Sequence, residues 1–347
     1  MLPEGLYEYM EDMHYKQLCS LKTLLLIVAS VLMLTQCKPG LPGDGLLEEE
    51  FRDPGKENRP LALWCWLNGY VDTTKLLLEL EEMKDKGMRG ALIWDVGSLL
   101  DPQAMIPTGP AMLSAQSLQY FSLALQRGKE LNLDIGWFAS SSWNAGGPWV
   151  EPENASMELI SSSQVVEGPS KRRLEIKKPQ RTYGGLGRYS LISSLAIPFS
   201  EQKLIDYSVD QRILLAKYTS EDGYIDWEVP DGKWEIISFF MANTDQELEC
   251  PSPNSNGLVI DHLSRIATKN YFDSILTRLA PVSSPGNHLK FFMLDSYEVW
   301  PMTDWSPLLI QEFREHYGYD PLPYLPLLRG YNSKDSIFDD RFRGDYH

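Results

Sequence analysis

The chain has few cysteines, four in 347 residues, and so lacks the disulfide framework on which small secreted scaffolds are built. It is also short of basic charge. Its 32 lysines and arginines face 48 aspartates and glutamates, leaving a formal charge of -16, and a field of that sign repels phosphate backbones and anionic lipid surfaces. Nucleic acid is excluded as a partner on that ground. No glycine-rich turn of the dinucleotide or P-loop kind follows a strand pattern; Gly184–Gly187 sits in a loop without that context, so nucleotide cofactors are not indicated. The apolar run Leu24–Leu34 is too short for a hydrocarbon core, which takes ~20 residues. What is present is ordinary globular material, 43% hydrophobic and 23% charged.

Lys16 and Lys22 ahead of Leu24–Leu34 make that run a signal-peptide core. It leads into Leu34-Thr35-Gln36-Cys37, which resembles the lipobox of bacterial lipoproteins. The resemblance implies that Cys37 is acylated and becomes the mature first residue, with the membrane touched only through that lipid and the protein facing the periplasm. A start at Met13 would remove most of the acidic stretch that precedes the basic residues. Residues 1–37 are then signal and lipobox, and 38–58, rich in Pro, Gly and Glu, a tether. Cys65 and Cys250 are expected as two buried thiols rather than a pair.

From residue 59 the chain alternates strand and helix. Leu61–Gly69 places Trp64 and Trp66 on one strand face and Cys65 on the other. A helix capped by Thr73 or Thr74, with Leu76, Leu77, Leu80 and Met83 at helical spacing, leads to the strand Gly90–Asp95. A second helix, Ser117–Leu131, leads to the strand Asp134–Ala139 and then to the loop Ser140–Trp149, which is too polar and glycine-rich to be core. Between 157 and 250 short alternating strands predict an inserted all-β domain. Helical spacing returns at Leu263–Leu279, where Asp261 and His262 either touch substrate or cap the helix. The apolar run from Leu289 ends in Asp295, Tyr297 and Glu298, before a helix over Pro307–Tyr317. The final stretch Asp339–Arg343 is expected to be loosely helical at most.

Alternation of this kind predicts an α/β protein with a parallel sheet, a partial (β/α)8 barrel over 59–156 and 251–347 that stops before closure. Ligands in such folds sit beyond the carboxyl ends of the strands. The groups there are Trp64, Trp66, Asn68, Asp95, Trp143, Asn144, Asp261, His262, Asp295, Tyr297 and Glu298. Aromatic rings and amides suit sugar faces and hydroxyls, although each tryptophan fills a core equally well. A carboxyl at a strand tip beside Tyr297 and Trp300 is expected to be partly desolvated.

Several segments together resemble glycoside hydrolase family 106, the α-L-rhamnosidases: Trp64–Gly69, Glu82–Gly87, Trp94–Gly97, Ser141–Trp149, Gly257–Ser264, Asp295–Glu298, Trp305–Pro307 and Tyr317–Pro326. Cys65 departs from the tryptophan usual there. The resemblance implies an inverting, calcium-assisted enzyme acting on rhamnose-containing oligo- or polysaccharides of plant or bacterial origin, with Glu298 as general acid. It supplies no metal ligands. An inverting enzyme needs a second carboxyl group ~6.5 to 9.5 Å away; Asp295 is too near in sequence, and the base is expected beyond residue 347. Two rival readings are a glycan-binding lipoprotein without chemistry and an inactive truncated fragment.

Overall fold

The computed structural model describes residues 44–99, 101, 105–181, 187–206, 212–283, 289–299 and 305–347. The signal peptide, Cys37 and Trp300 lie outside them. Residues 1–59 and 60–347 form separate units. Of the first, the described part holds helix α1 (Asp44–Arg52), closed by an exposed Arg52–Glu48 ion pair, so the tether is not wholly extended.

The second unit opens with strand β1 (Leu61–Leu67), helix α2 (Thr73–Asp85), β2 (Gly90–Val96), α3 (Ala115–Glu130), β3 (Asp134–Phe138) and the short β4 (Gly146–Gly147). Asp72, not Thr73 or Thr74, caps α2, its carboxylate accepting from the Thr74 and Lys75 amides. Ser114 caps α3 in the same way through the Ser117 amide. There follow β5 (Met157–Glu175), β6 (Tyr189–Pro198), β7 (Leu204–Ile205), β8 (Ile213–Leu214), β9 (Tyr224–Asn243) and β10 (Leu258–Val259). The last elements are α4 (Arg265–Leu279), β11 (Leu289–Met293), α5 (Leu309–Tyr317), β12 (Asn332–Ser333) and α6 (Ser336–Tyr346).

The main sheet runs β1-β2-β3-β11, every pairing parallel. It is open: among the described residues β1 and β11 are its edges, and no closed barrel is formed. The strands of the sheet carry two kinds of face. Trp64, Ile93 and Trp137 lie side by side in register on the face covered by helices, where Leu76, Leu80, Phe121, Leu125, Tyr271 and Ile275 complete the core. The opposite face of β1 is bare, with Leu61, Leu63 and Leu67 exposed and Leu63 at 60%. Cys65 belongs to that open face and Cys250 is half-buried; both are free thiols, so burial was the wrong expectation for Cys65.

The segment between β4 and β10 makes a different layer, the antiparallel sheet β5-β9-β6-β8. Its long strands β5 and β9 pair from Met157↔Asn243 to Glu175↔Tyr224, with a register shift between Gly168 and Ser170. One face packs Leu159, Leu195, Ile237 and Phe239 against Trp305, Leu325 and Tyr331, which joins this sheet to the carboxyl-terminal part. That part is better ordered than the sequence suggested. Asp339 is buried and accepts from the Ser333 amide and hydroxyl, both at 2.6 Å, while Phe342 is fully buried in α6. The charges of Asp339–Arg343 hid an apolar stripe of Phe338, Phe342 and Tyr346 at four-residue spacing.

Candidate active site

Beyond the carboxyl ends of β3 and β11 two loops are zipped together. The amides of Asp295 and Ser296 donate to the Trp143 carbonyl at 3.2 and 3.4 Å, and Asn144 pairs with Ser296 in a parallel bridge. The zipper brings Trp143 to Glu298: the indole N–H donates to Oε2 at 2.9 Å, and the Ser296 hydroxyl donates to Oε1 at 3.1 Å. The backbone carbonyl of Glu298 is held as well, accepting from the Asn144 amide and from Gln246 Nε2 at 2.8 Å. Both the main chain and the carboxylate of Glu298 are thereby fixed by neighbours. The group itself is exposed, not desolvated as expected at a strand tip.

Trp143 is positioned in turn by Trp94, whose indole N–H donates to the Ser142 carbonyl at 2.9 Å and whose ring meets that of Trp143 edge to face, centroids 6.4 Å apart. Trp94 stacks on Phe138 at the end of β3. The loop itself is not the polar surface loop that its composition suggests. Ser140, Ser141 and Ser142 are fully buried, because partners far along the chain close over them: Ser142 donates to the Glu249 carbonyl and Tyr271 to the Ala139 carbonyl.

Tyr297 is exposed beside Glu298 and meets the half-buried His262 edge to face at 4.9 Å. Burial holds the His262 imidazole below its usual range. Asp261 lies beneath, accepting from the Ser306 hydroxyl at 2.8 Å and the Leu263 amide at 3.0 Å, and burial raises its carboxyl. Ser264, rather than Asp261, caps α4. Thus Glu298, Asp295, Tyr297, Trp143, Asn144 and His262 come together, with Gln246, Ser296 and Trp94 as additions that sequence reasoning missed. Gln246 carries no local signal, standing 52 residues from its partner.

The structure does not bring the remaining expected residues to this cluster. Trp64 and Trp66 are buried at 7% and 8%, Trp64 donating to Glu79 of α2 at 2.6 Å. Asn68 organises a turn at positive φ, accepting from the Ser98 amide and donating to the Ile106 carbonyl. Asp95 is buried at 4%, its Oδ1 accepting from the Ser141 hydroxyl. Desolvation pushes its carboxyl up to about 6, against partial relief from the Ser141 hydrogen bond and the nearby Ser252 hydroxyl. No three acidic, histidine or cysteine side chains converge among the described residues in a manner that suits a metal ion.

A family model for alpha-L-rhamnosidase matches residues 52–215 and 189–347. The chain belongs to glycoside hydrolase family 106. Within the curated proteins, one of Formosa agariphila named "Putative beta-glucuronidase" is 25% identical over an alignment of 334 residues, gaps included, that covers 86% of this chain and 28% of that protein. Among solved structures, a rhamnosidase from Novosphingobium sp. PP1Y superposes with a TM-score of 0.73 at 18% identity, over 89% of this chain and 44% of the other. That likeness concerns the fold. The chain spans under a third of the curated relative and under half of the solved one.

Proposed function

We propose that this chain carries the acid side of a glycosidase centre that cleaves α-L-rhamnosidic bonds with inversion, and that Glu298 is its general acid. The observation that carries the reading is the setting of Glu298, an exposed carboxyl beyond a parallel strand, oriented by the Trp143 indole and the Ser296 hydroxyl. In the reaction Glu298 gives its proton to the glycosidic oxygen as the bond from that oxygen to the anomeric carbon breaks. A water attacks the same carbon from the opposite face and loses its proton to a second carboxylate. Asp95 and Asp261 are buried and bonded to serines, so neither suits that second role. The reading leaves the base to a carboxylate outside residues 1–347, and the four-stranded open sheet to a larger (β/α) barrel of the whole enzyme. Exposed Tyr297 serves the sugar, while the buried Asn144 amide holds the Glu298 carbonyl in place. A lipid on Cys37 and a periplasmic location complete the proposal.

The test is Glu298→Gln in the complete enzyme. Turnover of an α-L-rhamnoside with a poor leaving group should fall by ~100-fold or more, since the variant keeps shape but has no proton to transfer. An activated aryl rhamnoside should lose much less, and substrate binding should persist. Near-normal turnover of the natural bond would end the assignment, and equal loss on both substrates would move Glu298 to another role.

A further inference from the structure

Trp149 belongs to the same tryptophan-rich loop as Trp143 yet takes no part in the Glu298 cluster. It forms one wall of a cavity of about 280 Å³ between residues 149–154 and α4, whose lining shares no residue with that cluster. Its indole N–H is buried without an acceptor in the protein, so it is the ring surface rather than the N–H that the tryptophan offers to the cavity. Arg278 lies over the ring, 5.7 Å from its centroid, so much of one face is covered.

The remaining walls mix the apolar Val150, Ile260 and Ala267 with polar groups. Asn270 Nδ2 donates to Asn154 Oδ1 at 3.1 Å, which leaves the Asn154 amide nitrogen as a donor and the Asn270 amide oxygen as an acceptor, side by side. Glu151 and Ser274 add a carboxylate and a hydroxyl. Adjacent donors and acceptors match vicinal hydroxyls, each of which gives one hydrogen bond and accepts others. Asp273 is paired with Lys269, but Glu151 in the wall and a formal charge of -16 over the chain disfavour an anionic ligand. We infer that this cavity is a binding site for a neutral pyranose, separate from Glu298 and holding the glycan without acting on it.

The test uses the full chain labelled with nitrogen-15 and titrated with methyl α-L-rhamnopyranoside, following the indole N–H signals; Trp149→Phe identifies the relevant one. The Trp149 signal should move with a Kd on the order of 1 mM. Asn154→Asp keeps the acceptor for Asn270 but removes the free donor, and should weaken binding by ~10-fold. Glu298→Gln should leave it unchanged. A Trp149 signal that stays in place, or that moves equally in Asn154→Asp, overturns the site, as does equally tight binding of methyl galacturonide. Movement of Trp143 alone overturns this site; movement of Trp149 alone supports it and leaves the Glu298 reading to stand or fall by the turnover test.

Discussion

Asp95→Asn should stabilise the protein at neutral pH, the opposite of what removing a buried hydrogen-bonded carboxylate ordinarily does. The carboxyl is 4% exposed, and burial raises it from the ordinary 3.8 to about 6. Between those values the folded chain holds a proton that the unfolded chain has lost, so stability falls as pH rises. This group's contribution is fully present below pH 3.8 and gone once pH passes about 6. The gap corresponds to about 3 kcal/mol, at ~1.4 kcal/mol for each tenfold in proton affinity. Asparagine keeps the volume and an oxygen for the Ser141 hydroxyl but never ionises. Urea unfolding of the full chain at pH 7.5 and pH 3.5 checks this. The variant should gain up to ~3 kcal/mol at the higher pH and little at the lower. A loss at pH 7.5, or an equal change at both, would refute the reasoning. If sugar binding also survives, Asp95 is a structural residue rather than a ligand for hydroxyls.

Gly136→Ala should destabilise by ~1–3 kcal/mol, because a Cβ there would lie 2.0 Å from the Phe291 ring of β11; Gly136→Ala combined with Phe291→Leu should recover part of the loss in urea unfolding. Asp339→Ala should cost about 2 kcal/mol by leaving the buried Ser333 amide and hydroxyl without their acceptor, which proteolysis within α6 would also report. Trp143→Phe in the complete enzyme removes the N–H that orients Glu298 and should lower kcat about 10-fold with little change in KM; an effect confined to KM would make Trp143 a sugar platform instead.

How much of the fold was legible depended on how local its causes were. The strand Gly90–Val96 is buried along nearly its whole length, and α2 buries Leu76 and Leu80 four residues apart, so composition and spacing alone announce both. The loop after β3 was misread for the opposite reason. Its serines and glycines look like surface, yet Ser142, Ala139 and Gly146 are tied to Glu249 and Tyr271, more than 100 residues away. Only the tertiary fold satisfies those groups, and no local pattern records it.

The same distinction explains the candidate site. A tryptophan on a strand has one chemistry for core and for sugar, and its neighbours decide between them. Glu79 on α2 takes the Trp64 indole into the core, whereas Glu298 takes that of Trp143 into the open. Sequence reasoning could name both rings but not their partners. It could also place Glu298 at the end of an apolar strand, but not the zipper that orients it. That zipper joins the loops after β3 and β11, so the carboxylate's position depends on two strands that are already paired within this stretch of chain. The orientation of Glu298 is therefore set by Trp143, Ser296, Asn144 and Gln246, all on segments that the paired strands bring together.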